Sequence, residues 1–404
     1  MSRPKLLYAA VVLMQFGGST GVTGIALLAQ WHFDCPFWAL TFIGTAGPLA
    51  YAVSCLALSN TLGKVKPFSS MFAGIALFGA SFVLALWVRS PWHLIFVGAL
   101  QAATGALFWP MLEILLAEGS SGSALSRRMG FFNICWSLAD AVGAALAGIL
   151  YKIWIFAPFV AVPITMAAVA VLTLVASRRP PEAASNGKAS PVSNGATSAQ
   201  TLQWRKAAWL SNFVGFGVTN VIRSVFAAPA LKTFHMSEPA YGFAVATFNA
   251  LRTLTFVVLG RWSRWHYRPR AFFAVNSLLA FGMGGAFAAA FLPPQFSVPL
   301  VFFSFAGAGV GIGMTYTSSI FYSLNTADTS DVKAHFHEAV LGGGGALFTL
   351  ASGLANAVSG SILSPLPLCV VAVILGMGVS ARFTRAARQA GKPLEDSPRS
   401  GYPQ

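Results

Sequence analysis

Residues Arg178–Lys206 read RRPPEAASNGKASPVSNGATSAQTLQWRK, and this polar stretch interrupts a chain that is otherwise almost continuously apolar. Ser, Ala, Asn, Gly and Pro dominate it. It cannot bury enough apolar surface to order itself, so it is expected to be a flexible tether. Six apolar stretches precede it, at 7–30, 37–60, 68–88, 92–116, 129–151 and 154–177. Six more follow, at 207–231, 240–260, 271–291, 298–323, 334–360 and 362–381. Each is near the roughly 20 residues that a helix rising about 1.5 Å per residue needs to cross a bilayer. The layout predicts an all-α membrane protein with twelve transmembrane helices.

Composition supports the lipid environment. The 404 residues are 56% hydrophobic and only 9% charged, against about 25% charged in soluble domains. The formal net charge of +15 could suggest nucleic acid, but its distribution argues for topology. With the N-terminus inside, the inside loops hold Arg3, Lys5, Lys64, Lys66, Arg127, Arg128, Arg178, Arg179, the Arg261–Arg270 cluster and Arg382–Arg388. The opposite loops keep only Arg89, Lys152 and Lys232, while Arg223 and Arg252 fall inside spans. This positive-inside asymmetry predicts a cell-membrane protein with both termini cytoplasmic. The basic balance then serves anionic lipid rather than nucleic acid. No small-residue cleavage site follows a short apolar core near the N-terminus, so the first span is expected to act as its own insertion signal. Cys55, Cys135 and Cys369 fall inside spans and Cys35 in an outer loop, so no disulfide, metal site or cofactor is expected.

The two halves echo one another. Gly21-Val22-Thr23-Gly24 in span 1 matches Gly217-Val218-Thr219-Asn220 in span 7. Leu62-Gly63-Lys64 closes span 2 as Leu259-Gly260-Arg261 closes span 8, at nearly the same offset. Gly105 precedes Trp109 in span 4, as Gly311 and Gly313 precede Tyr316 in span 10. A parallel repeat of this kind predicts two pseudo-symmetric six-helix bundles, at 1–177 and 207–382, joined by a linker at 178–206 and followed by a disordered tail at 383–404.

This arrangement resembles the major facilitator superfamily over nearly the whole chain. The family's loop after span 2 carries Gly, then Asp, then basic residues. Here it reads Gly63-Lys64-Val65-Lys66, and its counterpart reads Gly260-Arg261-Trp262-Ser263-Arg264, both without the acidic residue. Of the family's Gly- and Pro-rich span 5 motif, Gly143 and Gly148 are present and Pro is not. The resemblance implies that spans 5 and 8 meet between the halves, and that spans 1, 4, 7 and 10 line a central cavity.

Charges inside spans are the sharpest clues, since each costs about 2.5–3.5 kcal/mol at the bilayer centre on insertion scales. Asp140 in span 5 and Arg252 in span 8 lie near mid-span. With the implied neighbours they would pair, either as a latch sensitive to protons or substrate or as a static bridge. Glu113 and the adjacent His337-Glu338 lie toward the cytoplasmic ends of spans 4 and 11. His337 and Glu338 could relay a proton. Alternatively, Glu338 could pair with a basic residue such as Arg261 and lock a gate. Candidate cavity residues are Gln15, Thr20 and Thr23 in span 1, Gln101 and Trp109 in span 4, Asn212, Asn220 and Arg223 in span 7, and Thr315 and Tyr316 in span 10. Asn133, Trp136 and Asn249 are secondary candidates. An unpaired Arg223 would need an anionic partner, which points to a polar or anionic solute. The glycines at 307, 309, 311 and 313 imitate a dinucleotide loop, but no strand precedes them. Those at 342–345 read as close helix packing.

The expected function is secondary active transport of a small organic solute by alternating access, coupled to protons, in a monomer without cofactor. The aromatic load of 34 Phe and 11 Trp keeps efflux of amphipathic compounds open as an alternative. A non-transporting receptor or scaffold would need a sizeable cytoplasmic output domain, which neither the linker nor the tail is long enough to supply. An enzyme would need convergent nucleophile, base or metal ligands, and the six His are scattered.

Overall fold

The computed structural model describes residues 1–59, 65–118, 122–180, 198–324 and 331–390. The loop glycine Gly63 and its partner Lys64, the linker at 181–197 and the tail beyond 390 lie outside the described residues. Within them every regular element is helical. The first half contains α1 (Arg3–Leu27), continued by a π-helical turn at Leu28–His32, then α2 (Phe37–Leu58) and α3 (Pro67–Leu84). It ends with α4 (Pro91–Gly105), α5 (Trp109–Ala117), α6 (Gly122–Ile153) and α7 (Ala157–Ser177). The second contains α8 (Ser198–Arg223), α9 (Ala227–Lys232), α10 (Glu238–Arg261), α11 (Pro269–Ala289), α12 (Pro294–Leu324), α13 (Asp331–Ser359) and α14 (Pro365–Ala390).

Among the described residues, eleven segments are long and apolar enough to cross a membrane. The stretch predicted as span 7 is not one of them. It is helical, as α8 and α9, but Asn212, Asn220 and Arg223 dilute its apolar length. Neighbouring helices α12, α13 and α14 enclose α8, so these polar groups need not face lipid.

Chain punctuation follows local chemistry. Proline opens α3, α4, α10, α11 and α14, where its missing N–H is not needed. Ser237 caps α10 by accepting from the Ala240 amide at 3.4 Å. Gly360, at φ +68°, ends α13 in the left-handed conformation that only glycine adopts cheaply. Two boundaries differ from expectation. Residues 198–206, read as tether, form the first turns of α8, and Trp204 is 1% exposed in a cluster with Trp265, Phe272 and Tyr322. Residues 383–390, read as disordered, continue α14, where Ser380, Thr384 and Ala387 recur at helical spacing and are buried. In both cases a few packed side chains on one face outweigh a polar composition.

The outer surface is apolar. On α2 the large exposed apolar residues are Trp38, Phe42, Leu49, Val53 and Leu56, one helical stripe suited to lipid. Trp38, Trp87, Trp92 and Trp154 are exposed at the end opposite the basic loops, the interfacial position that tryptophan favours.

Helices before the linker pack chiefly among themselves, as do those after it, and two seams join them: α6 against α10, and α2 against α13. Small residues permit both. A Cβ on Gly342 of α13 would lie 2.6 Å from the Pro48 carbonyl of α2, and one on Gly242 of α10 would lie 2.7 Å from the Ala144 carbonyl of α6. The glycine run of α12 packs likewise. A Cβ on Gly309 would strike the Phe248 carbonyl, and one on Gly311 would strike Leu279. These glycines serve helix contact in the middle of a long helix.

Candidate substrate cavity

Asp140 sits on α6 at the α6–α10 seam with its side chain fully buried. An isolated carboxylate there would cost several kcal/mol or more, so it needs ionic partners. Two converge on it. Arg252 of α10 donates from Nη2 to Oδ2 at 2.8 Å. Arg223, at the end of α8, donates from Nη1 to Oδ2 at 3.2 Å, and its Nη2 lies 3.1 Å from Oδ1. Arg252 is held further by Ser137 Oγ, which accepts from Nε at 2.8 Å, and by the Trp136 ring, 4.4 Å from the guanidinium carbon. Ser137 and Trp136 precede Asp140 by three and four positions, so all three share one helical face. Asp140 and Arg252 thus form the pair that their depths suggested. Arg223, expected to be unpaired, is not, since the third helix turns it onto the same carboxylate.

One carboxylate against two guanidinium groups leaves an excess positive charge, and both arginines line a cavity of about 290 Å³. The Arg223 Nε is buried without a hydrogen-bond partner among the described residues. A void of about 60 Å³ continues on the other side of Arg223, toward Leu40 and Ser224. At the opposite end of the main cavity are Glu113 of α5 and Glu338 of α13. Tyr51 of α2 donates to Glu338 Oε2 at 2.6 Å. Rings of Trp109, Phe132, Trp136, Phe216, Phe78 and Tyr316 form much of the wall between.

Of the predicted cavity residues, Gln15, Gln101, Trp109, Asn220, Arg223 and Tyr316 reach this space, together with Glu113, Glu338 and Arg252. Others turn away. Thr20 is buried against α6, donating to the carbonyls of Phe16 at 2.8 Å and Gly143 at 3.3 Å, and Thr23 is buried off the cavity wall. Thr315 donates to its own helix at Ile312 and packs on Gly215 of α8. Asn212 is fully buried away from the cavity, its amide unpartnered among the described residues. Of the secondary candidates, Trp136 lines the wall and donates to Asn133 Oδ1 at 3.2 Å, whereas Asn249 packs in the α6–α10 seam.

The His337–Glu338 relay is not formed. Adjacent helical residues point in different directions. His337 turns to α12, with Nδ1 3.2 Å from Ser319 Oγ, while Glu338 turns to the cavity. Glu338 bonds Tyr51 rather than Arg261, which is exposed on the loop side of α10. Tyr51, Ser137 and Tyr241 were not singled out by the sequence. For Ser137 the three-residue spacing to Asp140 was the available signal. The other two depend on how separate helices rotate about their axes.

Asn220 also has a structural duty. Pro48 inside α2 has no N–H to donate to the Gly44 carbonyl. Asn220 Nδ2 supplies that bond from α8 at 2.8 Å and also reaches Thr349 Oγ1 at 2.6 Å on α13. At the far end, Tyr241 donates to the Arg223 carbonyl at 3.0 Å and packs against Trp31. Beyond it Lys232 lies 2.8 Å from Asp34. Beside that pair Cys35 is buried, and burial pushes its thiol up to about 11.

Apolar helices around an internal cavity with charged walls define a multi-pass membrane protein built for solute passage. The sequence profile of the Major Facilitator Superfamily matches residues 6–334, and the chain belongs to that family of secondary transporters. Among solved structures it is similar to a POT family transporter in complex with 5-aminolevulinic acid, at TM-score 0.72 and 10% identity over 96% of each chain. It is also similar to a bacterial homologue of the human lysosomal transporter Spinster, in an inward-facing, unoccupied conformation. There the TM-score is 0.64 and the identity 14%, over 98% of this chain and 99% of the other. No curated protein matches the sequence.

Proposed function

We propose that the chain is a proton-coupled secondary transporter of a small polar or anionic organic solute. In this reading twelve spans form two six-helix bundles, at 1–177 and 207–382, that rock about the α2–α13 and α6–α10 seams to expose the cavity alternately. Both termini are cytoplasmic, which puts Glu113 and Glu338 toward the cytoplasm and Arg223 toward the outside. The observation that carries the reading is the excess guanidinium on the cavity wall: two arginines share the single carboxylate of Asp140. A solute anion that draws Arg223 away leaves Asp140 held by Arg252 alone, which loosens the contact between α6 and α8. Protons enter at Glu113 and Glu338, two carboxylates facing one small space where like charges repel.

The aromatic wall also favours a second reading, efflux of amphipathic compounds, which resistance on overexpression would reveal. The test of the first is a thermal-shift screen of organic anions on the purified protein, followed by uptake into proteoliposomes with and without an imposed proton gradient. Hits should weaken in Arg223→Gln and Arg252→Gln, and uptake should follow the gradient. Hits indifferent to both substitutions would remove the anionic solute. Uptake indifferent to the gradient would remove the coupling.

A further inference from the structure

The cavity has two chemically opposite ends, and their order along the helices can be read from contacts. Gly313 of α12 lies beside the Arg252 backbone carbonyl, which a Cβ there would approach to 3.2 Å. Ser319, farther along α12, touches His337, the neighbour of Glu338. Gly313 and Ser319 are separated by about 9 Å of helix rise. The backbone of Arg252 and the Ser319–His337 contact beside Glu338 are therefore offset by about 9 Å along α12, a little under two helical turns.

Rings fill the interval. The Trp136 ring, which carries Arg252 on its face, has its centroid 5.3 Å from that of Tyr316. Tyr316 in turn lies 5.8 Å from the His337 ring. Both Trp136 and Tyr316 face the cavity. The two ends differ in how far they are satisfied. At the first, Arg223 Nε has no partner among the described residues. At the second, Tyr51 occupies Glu338, while Glu113 makes no hydrogen bond or ion pair among the described residues and is open to the cavity. An excess guanidinium charge at one end, carried by the partly exposed Arg223, and an unused carboxylate at the other are complementary to a molecule charged at both of its own ends.

We propose that the cargo is amphoteric: a small aminated carboxylate whose acid group meets Arg223 and Arg252, whose ammonium meets Glu113, and whose apolar body lies along Trp136 and Tyr316. This rests on the transport reading for its biological sense, but the binding claim is separable from it. A carboxylate without an amine would leave Glu113 facing an apolar end. An amine without a carboxylate would leave the arginines uncompensated. Each loss removes a charge-assisted hydrogen bond, worth about tenfold or more in affinity.

The test uses the full-length purified protein and three matched series: ω-amino carboxylates from glycine to 6-aminohexanoate, the corresponding fatty acids, and the corresponding alkylamines. Alanine, leucine and phenylalanine are added to vary the apolar body. Binding is read by thermal shift and calorimetry, and transport by counterflow in proteoliposomes. Wild type should bind at least one amino carboxylate about tenfold or more tighter than its acid or amine counterpart. Glu113→Gln should abolish that advantage, bringing the affinities of amino carboxylate and acid to within a few-fold of each other. Arg223→Gln should weaken the amino carboxylate and the acid together. Equal binding of acid and amino carboxylate, or no binding by any amino carboxylate tested, overturns the proposal. If the acid alone binds and is transported, the transport reading stands and the amphoteric cargo falls. If an amino carboxylate binds with the expected dependence but shows no counterflow, the site assignment stands and transport of that cargo falls.

Discussion

Asp140→Asn is the perturbation whose size follows most directly from the geometry. The substitution keeps the shape and removes the charge that balances both arginines. Arg252 is only 1% exposed where it borders the cavity, so little water can replace the lost partner and it bears most of the effect. Leaving one member of a buried pair uncompensated costs about 3–5 kcal/mol. Arg223 is 17% exposed and faces the cavity, where water can replace part of the lost contact, so it adds little. The reverse substitutions should rank below this. Arg252→Gln leaves Asp140 with Arg223 and should cost about 1.5–3 kcal/mol, the worth of a charged hydrogen bond. Arg223→Gln leaves the 2.8 Å pair intact and should cost about 1 kcal/mol or less. Replacing both members of the inner pair by apolar residues, Asp140→Leu with Arg252→Met, should recover much of the loss, because neither desolvated charge remains. Thermal unfolding of the purified variants in one detergent gives the order of apparent transition temperatures. If Asp140→Asn unfolds with wild type, or Arg223→Gln falls as far as Arg252→Gln, the argument from burial is refuted.

Four further outcomes are expected. Asn220→Ala removes the donor that satisfies the Gly44 carbonyl opposite Pro48 and should lower stability by about 1–3 kcal/mol, whereas Asn220→Asp should fare no better, since it donates nothing. Gly342→Val should force α13 off α2 at the Pro48 carbonyl and reduce folded yield; Gly130→Ala, where an added Cβ meets nothing within 4 Å, should be neutral or stabilising by up to about 1 kcal/mol, and equal yields would reject the packing assignment. Burial holds His266 down to about 4, so its neutral form is favoured in the fold; the stability it contributes is present above pH ~6.5 and is lost as pH falls toward 4. His266→Phe, which keeps a ring against Phe321, should flatten the unfolding profile across that window. Lys232→Gln should change stability by less than about 1 kcal/mol, because both partners of the bridge to Asp34 are substantially exposed.

The charged core of the site was legible because lipid makes in-span charges rare. Asp140, Arg252, Arg223, Glu113 and Glu338 all stood out, and all meet at or behind one cavity. Depth was legible too, since residue count along a span fixes height, and it correctly matched Asp140 with Arg252. Rotation about the helix axis was not. Nothing in span 1 says that Thr20 faces α6 while Gln15 faces the cavity, nor that Glu338 meets Tyr51 instead of a loop arginine. The start of α8 was misjudged for a related reason. The helix from Ser198 is held by Trp204 packing among Trp265, Phe272 and Tyr322, and those partners arrive from distant loops and helices.

Pro48 leaves a carbonyl at mid-membrane that no residue of its own helix can satisfy, and the amide that satisfies it belongs to the other half of the chain. If the halves part as proposed, that carbonyl must find another donor at once, and in hydrocarbon only water qualifies. Wetting of the cleft is then a condition of opening rather than a result of it. Pro48 then sets a humidity requirement on the proposed transport cycle, one imino acid read out by one asparagine.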